Sequence, residues 1–436
     1  MGDILLINKL LWAITTVLMV YSGVYFTIKL GGIQFRFKDI FKSLKKSNSN
    51  DAISPFETLT MALAGRIGVG SLAGVALSIY VGGVGTIFWM WVTAFICAPN
   101  AFGESVLGIL YHKKDGDVYV GGPSYYIDYG LKKKKLSKLY ALLIIITYIF
   151  GFLSIQSNTI ARSITDIINV EPIIIGIIIT LVTSFIIFSG VKGIARVTSA
   201  LVPVMSLMFI FVSLFIIITN IEKIPNIVIE IIKQAFNFKA LGIGVFSTFI
   251  IGIQRGIFSN EAGIGTGAIA SAISNDNAVK QGLLQVLGIY FTTLIICTIT
   301  AFVIILSDYN TLVLNDINGI EITNYAFSFF IGKLGNITVI ISILLFAFST
   351  IVAGYYYGEA SLKFLFKNDK YSFILKMITL FVLLISSVVS SNILWNFVDI
   401  FVAILGIINI ISMFYLKKDI LKTIKDYKVN KKYAKM

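Results

Sequence analysis

Cysteine and histidine are almost missing from this sequence, acidic residues are few, and charge of either sign is thin. The two cysteines, Cys97 and Cys297, stand in long apolar runs and read as small buried residues, so neither a disulfide scaffold nor a cysteine-based metal site is available. The single histidine, His112, follows the third apolar run and reads as a surface residue rather than a proton relay. No HExxH, no cysteine nucleophile with a histidine partner and no carboxylate metal cluster is present, which argues against an intramembrane enzyme and against any cofactor. Filter-like repeats and charge rings are lacking too, which argues against a channel. Charged residues are 13% of the chain against about 25% in a soluble domain, so water is not its main solvent.

Apolar residues are abundant instead, at 57% with a mean hydropathy of +0.89. A helix crosses a bilayer core with roughly 20 apolar residues. Cut at charge, glycine and proline clusters, the apolar runs fall near residues 4 to 30, 54 to 80, 83 to 111, 137 to 165, 172 to 190, 194 to 220, 239 to 273, 281 to 306, 336 to 362, 372 to 390 and 392 to 416. The pattern predicts an all-α integral membrane protein of about eleven transmembrane helices. The longest polar connection, about 112 to 136, is too short to bury a core of its own. Met1-Gly2-Asp3 lacks a basic n-region and the first run is too long for a signal peptide, so it reads as a true span.

Basic residues crowd alternate loops. They are Arg36, Lys38, Lys42, Lys45 and Lys46; then Lys113, Lys114, Lys132 to Lys135 and Lys138; then Lys192 and Arg196; then Lys280; then Lys363, Lys367, Lys370 and Lys376; and last the tail from Lys417 to Lys435. Residues 81 to 85 carry no charge, and 307 to 335 carry Asp308, Asp316 and Glu321 against Lys333 alone. The bias predicts a plasma-membrane protein with its N-terminus outside and its C-terminus cytoplasmic. The net charge of +14 is thereby a matter of orientation, with no nucleic acid implied. The Lys132 to Lys135 run reads as a stop facing lipid headgroups. The bilayer is the expected partner, and no obligate protein partner is evident.

Two runs are not ordinary spans. The second opens with Ser54-Pro55-Phe56-Glu57, a serine N-cap, a proline at N1 and a glutamate at N3. At mid-bilayer it reads Gly65-Arg66-Ile67-Gly68-Val69-Gly70-Ser71, with Gly74 following. Close packing through small residues accounts for the glycines, but a mid-membrane charge costs at least ~2.5 kcal/mol, which leaves Arg66 without a packing reason. The seventh run carries Gly252-Ile253-Gln254-Arg255-Gly256-Ile257-Phe258-Ser259-Asn260-Glu261-Ala262-Gly263-Ile264-Gly265 near its centre. Such a stretch must face protein or a water-filled cavity. Two interrupted helices of opposite direction, about five spans apart, point to an inverted-repeat transporter. Spans two to six (54 to 220) and seven to eleven (221 to 416) would be the repeats, with 1 to 53 an added first helix and loop and 417 to 436 a basic tail. Unwound backbone at mid-membrane offers amides to a carboxylate and carbonyls to a cation, which suits a zwitterion with a metal cation.

From about residue 31 to 410 the sequence resembles the alanine or glycine:cation symporter family, also called sodium:alanine symporters. The resemblance rests on Gly31-Gly32-Ile33-Gln34-Phe35, the Gly-rich second span, Phe88-Trp89-Met90-Trp91-Val92-Thr93-Ala94, Gly121-Gly122-Pro123-Ser124-Tyr125-Tyr126-Ile127, Gln156-Ser157-Asn158-Thr159-Ile160-Ala161, Arg255-Gly256-Ile257-Phe258-Ser259-Asn260-Glu261-Ala262-Gly263 and Phe346-Ala347-Phe348-Ser349-Thr350. The family is similar in fold to the leucine-transporter-type five-plus-five inverted repeat with an extra first helix. The resemblance implies sodium-driven symport of a small neutral amino acid by alternating access. It implies that the backbone of Gly68, Val69 and Gly70 holds the substrate carboxylate, with Ser71 beside them and Gln156 adding a polar contact. Gly256 would supply a carbonyl for the ammonium and Phe258 a hydrophobic wall. The sodium ion would lie between the carbonyls of Ala64 and Ile67 and the hydroxyls of Ser349 and Thr350. Paired hydroxyls in an apolar run also have a plainer reading, bonding back to the carbonyl four residues earlier.

Three departures from the family pattern carry expectations of their own. Gly68-Val69-Gly70-Ser71 stands where the family usually has Gly-Thr-Gly-Asn, which shortens the polar side chains at the break. Arg66 replaces a small residue. Its guanidinium, always charged, would either stand in for sodium, making the protein an ion-independent or proton-coupled exchanger or uniporter, or pair with Glu104, Glu261 or Glu359. Gly354 replaces a tryptophan five residues after Ser349, which predicts a pocket for a substrate bulkier than alanine. Of the other buried charges, Glu104 and Glu359 are expected to brace helices, Asp399 to be wetted at the outer end of its span, and Glu261 to cap the second half-helix, carrying a proton if coupling is to protons. With Arg66 and Arg255, Glu261 forms the candidate coupling and gating set.

Overall fold

The structure is a computed structural model that describes residues 2–45, 53–116, 118–165, 167–236, 245–308 and 319–433. Met1, Lys46, Asp316, Lys435 and positions 239–244, where the seventh apolar run opens, lie outside the described residues. Long runs without charge bury their backbone polar groups most economically as helix, and the described chain is helical apart from a small hairpin, β1 (Lys113–Asp115) and β2 (Val118–Val120), paired antiparallel with Lys113 opposite Val120. In chain order the main helices are α1 (Gly2–Leu30), α2 (Pro55–Arg66), α3 (Ala73–Gly82), α4 (Thr86–Leu110), α5 (Lys134–Thr165), α6 (Pro172–Ile187), α7 (Gly190–Thr219) and α8 (Ile224–Ala235). They continue with α9 (Val245–Asn260), α10 (Thr266–Ala272), α11 (Ala278–Leu306), α12 (Ile320–Ile331), α13 (Lys333–Leu365), α14 (Asp369–Ser386), α15 (Ser391–Tyr415) and α16 (Lys417–Tyr433).

The start of α2 is the one its sequence specifies. The Ser54 amide donates to Glu57 Oε2 at 2.7 Å and the Glu57 amide donates to Ser54 Oγ at 3.2 Å, with Pro55 in the first turn, so a capping box satisfies two orphan donors at once. Similarly, Asn277 opens α11 by accepting from the amides of Val279 and Lys280.

Among the described residues, seven helices are long and apolar enough to cross a membrane: α1, α4, α5, α7, α11, α13 and α15. The other predicted crossings fall short of that measure for identifiable reasons. Two are broken in the middle, α2 from α3 and α9 from α10, α6 has 16 residues, and α14 carries Asp369, Lys370 and Lys376. Large apolar side chains face outward on the helices at the rim, among them Phe185 at 81% and Phe211 at 76% exposure, an apolar exterior that lipid rather than water would cover. Both broken helices lie inside. Helix α4 packs along α9, α10 and α11, while α13 packs on α2, α5 and α7, so α4 and α13 form the walls between which both breaks are held.

Candidate functional site

The first break runs from Ile67 to Leu72, between α2 and α3. Gly68 is extended, with φ −122° and ψ −151°, and Val69–Ser71 form one tight turn before α3 begins. The backbone amide of Val69 donates to Gln156 Oε1 at 3.0 Å, from α5. A Cβ at Gly68 would run into Thr350 Oγ1 and lie 3.0 Å from Gln156 Oε1; one at Gly70 would lie 3.0 Å from Phe258 Cδ1. Five of the predicted substrate residues (Gly68, Val69, Gly70, Gln156 and Phe258) thus meet in one place, and only glycine lets the Thr350, Gln156 and Phe258 side chains come so close to this backbone. Ser71 Oγ is buried in the same turn with no partner among the described residues.

Beside this turn, α13 brings Ser349 and Thr350 against the last turn of α2. Thr350 Oγ1 donates to the Ala64 carbonyl at 2.8 Å and to the Phe346 carbonyl at 3.0 Å; Ser349 Oγ lies 2.9 Å from the Phe346 carbonyl and 3.4 Å from that of Ala64. Each hydroxyl therefore bonds back along its own helix and also reaches across to α2. Ile67, the residue that ends α2, is fully buried next to them. Neutral carbonyl and hydroxyl oxygens with no carboxylate suit a hard monovalent cation and not a transition metal. Among the described residues no group of histidine, cysteine and carboxylate side chains could hold a metal ion.

The second break occupies only the end of the run that the sequence marked. Gly256 lies inside the continuous helix α9, where a Cβ would be 3.0 Å from Thr93 of α4. Its role is close helix packing, and it opens no carbonyl in a break. The chain unwinds at Glu261 to Gly265, with positive φ at Glu261 (53°), Gly263 (81°) and Gly265 (92°). Side chains hold nearly every group of this turn. Glu261 accepts from Tyr148 Oη and from Thr266 Oγ1, both at 2.8 Å. The Gly265 amide donates to Glu104 Oε2 at 3.0 Å, Asn409 Nδ2 donates to the Gly263 carbonyl and to Glu104 Oε2 at 2.9 Å each, and Tyr140 Oη donates to the Ile264 carbonyl at 2.6 Å. Tyr126 Oη in turn donates to Asn409 Oδ1. The capping expected of Glu261 is thus shared, with Glu104 taking the backbone amide. Asn409 and the three tyrosines were not foreseen, although an asparagine in the apolar run 392 to 416 was a usable signal. The tyrosines gave none, since aromatic residues fill cores everywhere in this chain.

Arg66 makes no direct ion pair with any of the three expected glutamates, Glu104, Glu261 and Glu359. Its Nη1 donates to the Gln285 carbonyl at 3.2 Å, and it is 2% exposed. The guanidinium points to α10 and α11, while the Ser349 and Thr350 hydroxyls bond to Ala64 and Phe346 instead. Asp399, expected to be wetted, is 3% exposed because Arg255 takes both its oxygens, at 3.2 and 2.6 Å. The Arg255 guanidinium also lies 5.1 Å from the Trp395 ring and 5.7 Å from that of Phe258. Trp395, Phe258, Phe152, Tyr148 and Tyr357 form a continuous aromatic layer, neighbouring centroids 4.7 to 5.2 Å apart. Above this layer lies a cavity of about 820 Å³, lined by Gln254, Arg255, Trp395 and Asp399 and by the ends of α1, α3 and α5.

Gly354 opens no space. Where its Cβ would stand, Leu153 Cδ1 is 2.7 Å and Tyr148 Cδ1 3.2 Å away, so α5 has filled the volume that a larger residue would take. His112 is half-buried where a surface residue was expected: Nδ1 donates to the Ala272 carbonyl, at 3.1 Å, at the end of α10, and the ring stacks on Tyr119. Burial, with Lys113 adding to it, lowers its pKa.

The sequence profile of the sodium:alanine symporter family matches residues 3–436. A Bacillus subtilis (strain 168) relative named probable sodium/glutamine symporter GlnT is 37% identical, the match covering 98% of this chain and 91% of the relative. The amino-acid carrier protein AlsT of the same strain is also 37% identical, again covering 98% and 91%. The crystal structure of a manganese transporter from Eremococcus coleocola has a similar fold, with a TM-score of 0.51 at 11% identity over 76% of this chain and 69% of that one. The chain belongs to the sodium:alanine symporter family; it is a multi-pass membrane protein and a secondary transporter for amino acids, not an enzyme.

Proposed function

We propose that this member of the sodium:alanine symporter family carries a neutral amino acid into the cell together with sodium, by alternating access through a five-plus-five inverted repeat of eleven crossings. In this reading α2 to α7 and α9 to α15 make the two repeats, the N-terminus is outside and α16 is cytoplasmic. The observation that carries the reading is the meeting of three things at the first break: the Val69 amide, the Ala64 carbonyl and the Ser349–Thr350 hydroxyl pair. A carboxylate needs a desolvated donor, and a sodium ion needs neutral oxygens close to that carboxylate. One unwound turn supplies both.

Gln156 occupies the Val69 amide with a carboxamide oxygen, an acceptor of the same kind as a carboxylate oxygen. An incoming amino acid would displace it and leave the Gln156 side chain to bond the substrate. Phe258 walls the site through its contact with Gly70. The 820 Å³ cavity would be the outer vestibule, and the Arg255–Asp399 pair above the aromatic layer would be the outer gate. Binding through the gate separates charges that are otherwise neutralised pairwise, which makes an amino acid, itself a zwitterion, a suitable key. The relative named for glutamine fits a substrate larger than alanine; in this chain Leu153, rather than an open space beside Gly354, would decide that limit. The reading is tested by uptake into proteoliposomes. An inward sodium gradient is expected to raise both the rate and the accumulation of a neutral amino acid, and no change in either sinks the reading.

A further inference from the structure

Arg66 and Glu104 are 2% and 0% exposed and both approach the second half of the second broken helix at Gly267, and each has a charged atom with no protein partner among the described residues. Arg66 uses Nη1 on the Gln285 carbonyl and leaves Nε and Nη2; Glu104 uses Oε2 on Gly265 and Asn409 and leaves Oε1; Gln285 leaves both ends of its carboxamide. These atoms converge on one point. A Cβ at Gly267 would lie 2.7 Å from Glu104 Oε1, 3.1 Å from Arg66 Nη2 and 3.4 Å from Gln285 Oε1. Because residue 267 is glycine, no Cβ stands where these atoms approach, and Arg66 and Glu104 face the same patch of its backbone.

We propose that Gly267, by carrying no side chain, lets Arg66 face Glu104, and that this pair sets how tightly the neighbouring Ala64–Thr350 site holds sodium. The proposal rests on the sodium reading above. Arg66 stands two residues from Ala64 on the same half-helix, so its charge opposes a cation at the Ala64 carbonyl. Glu104, facing Arg66 beside Gly267, cancels that opposition. Unit charges within about 10 Å inside a protein interact strongly enough to change binding on the order of tenfold. The pair is then a positioning and tuning device, touching neither sodium nor substrate.

The test is the sodium concentration that half-saturates amino-acid uptake, measured in proteoliposomes for the wild type, Glu104→Gln, Arg66→Gln and the double variant. Glu104→Gln is expected to weaken sodium on the order of tenfold, Arg66→Gln to tighten it on the order of tenfold, and the double variant to return near the wild-type value. A purely structural brace would move both single variants in the same direction, or change only the maximal rate, and either result overturns the proposal. Should Arg66→Gln not fold, Arg66→Lys keeps the charge and is expected to hold the wild-type value while Glu104→Gln does not; a parallel shift of the two overturns it equally. A wild-type protein indifferent to sodium would overturn the sodium reading and the proposal together, whereas sodium dependence with a parallel cycle overturns the proposal alone.

Discussion

The two broken helices look alike as sequence and are built in opposite ways. At the first, two side chains reach the unwound backbone, Gln156 at the Val69 amide and Thr323, at 3.4 Å, at the Leu72 carbonyl, and Ser71 Oγ has no partner among the described residues. At the second, Tyr148, Thr266, Glu104, Asn409 and Tyr140 each bond to the turn. An unwound helix in a low-dielectric interior must satisfy every freed group, so a turn that the protein satisfies fully is a fixed part. A turn that it satisfies sparingly is left for something else to complete. The difference supports the proposal that the first break is the binding element and the second its anchor.

The largest expected effect tests the anchor. Asn409→Ala removes the donor shared by Glu104 and the Gly263 carbonyl and should lower stability by about 3 to 5 kcal/mol, seen as a lower unfolding temperature in detergent that no amino acid restores. An intermediate effect tests the binding element. Gln156→Ala leaves the Val69 amide unpaired and should cost about 1 to 3 kcal/mol without ligand, much of which a bound carboxylate should restore, giving a larger ligand-induced thermal shift than the wild type shows. If both variants responded alike to ligand, the two breaks would not differ in kind. The smallest effect refines the site between them. Leu153→Val trims one methylene, worth about 0.8 kcal/mol, beside Gly354, and competition uptake should show a several-fold gain for longer neutral side chains over alanine.

Much of this was legible in the sequence because mid-membrane polarity is expensive and therefore conspicuous. The capping box at Ser54 was readable to the residue, and both interrupted runs were found from their glycines and charges. The meeting of Ser349 and Thr350 with Ala64 was not readable from periodicity; it came with the family resemblance. The run from Gly252 to Gly265 located the second break only broadly because glycine has two uses. Gly252 and Gly256 let α9 press against Thr86, Trp89 and Thr93, whereas Gly263 and Gly265 supply left-handed turns, and composition cannot separate a packing glycine from a hinge. Glu261 makes the confusion worse, since it takes a positive φ without being glycine. The course of Arg66 was out of reach for another reason. A long flexible side chain at a half-helix end can turn toward any of several neighbours, and only the packed arrangement of α10 and α11 selects one.

The aromatic layer beneath the cavity also gives the molecule an optical handle. Of its four tryptophans, Trp395 alone lies in that layer, with its indole against the Arg255 guanidinium and the Phe258 ring. A cation held over an indole shifts its emission, so separation of Arg255 from Asp399 would be visible as a change in intrinsic fluorescence. Replacing Trp12, Trp89 and Trp91 by phenylalanine would isolate that signal and let the proposed gate be watched in real time, without any attached dye.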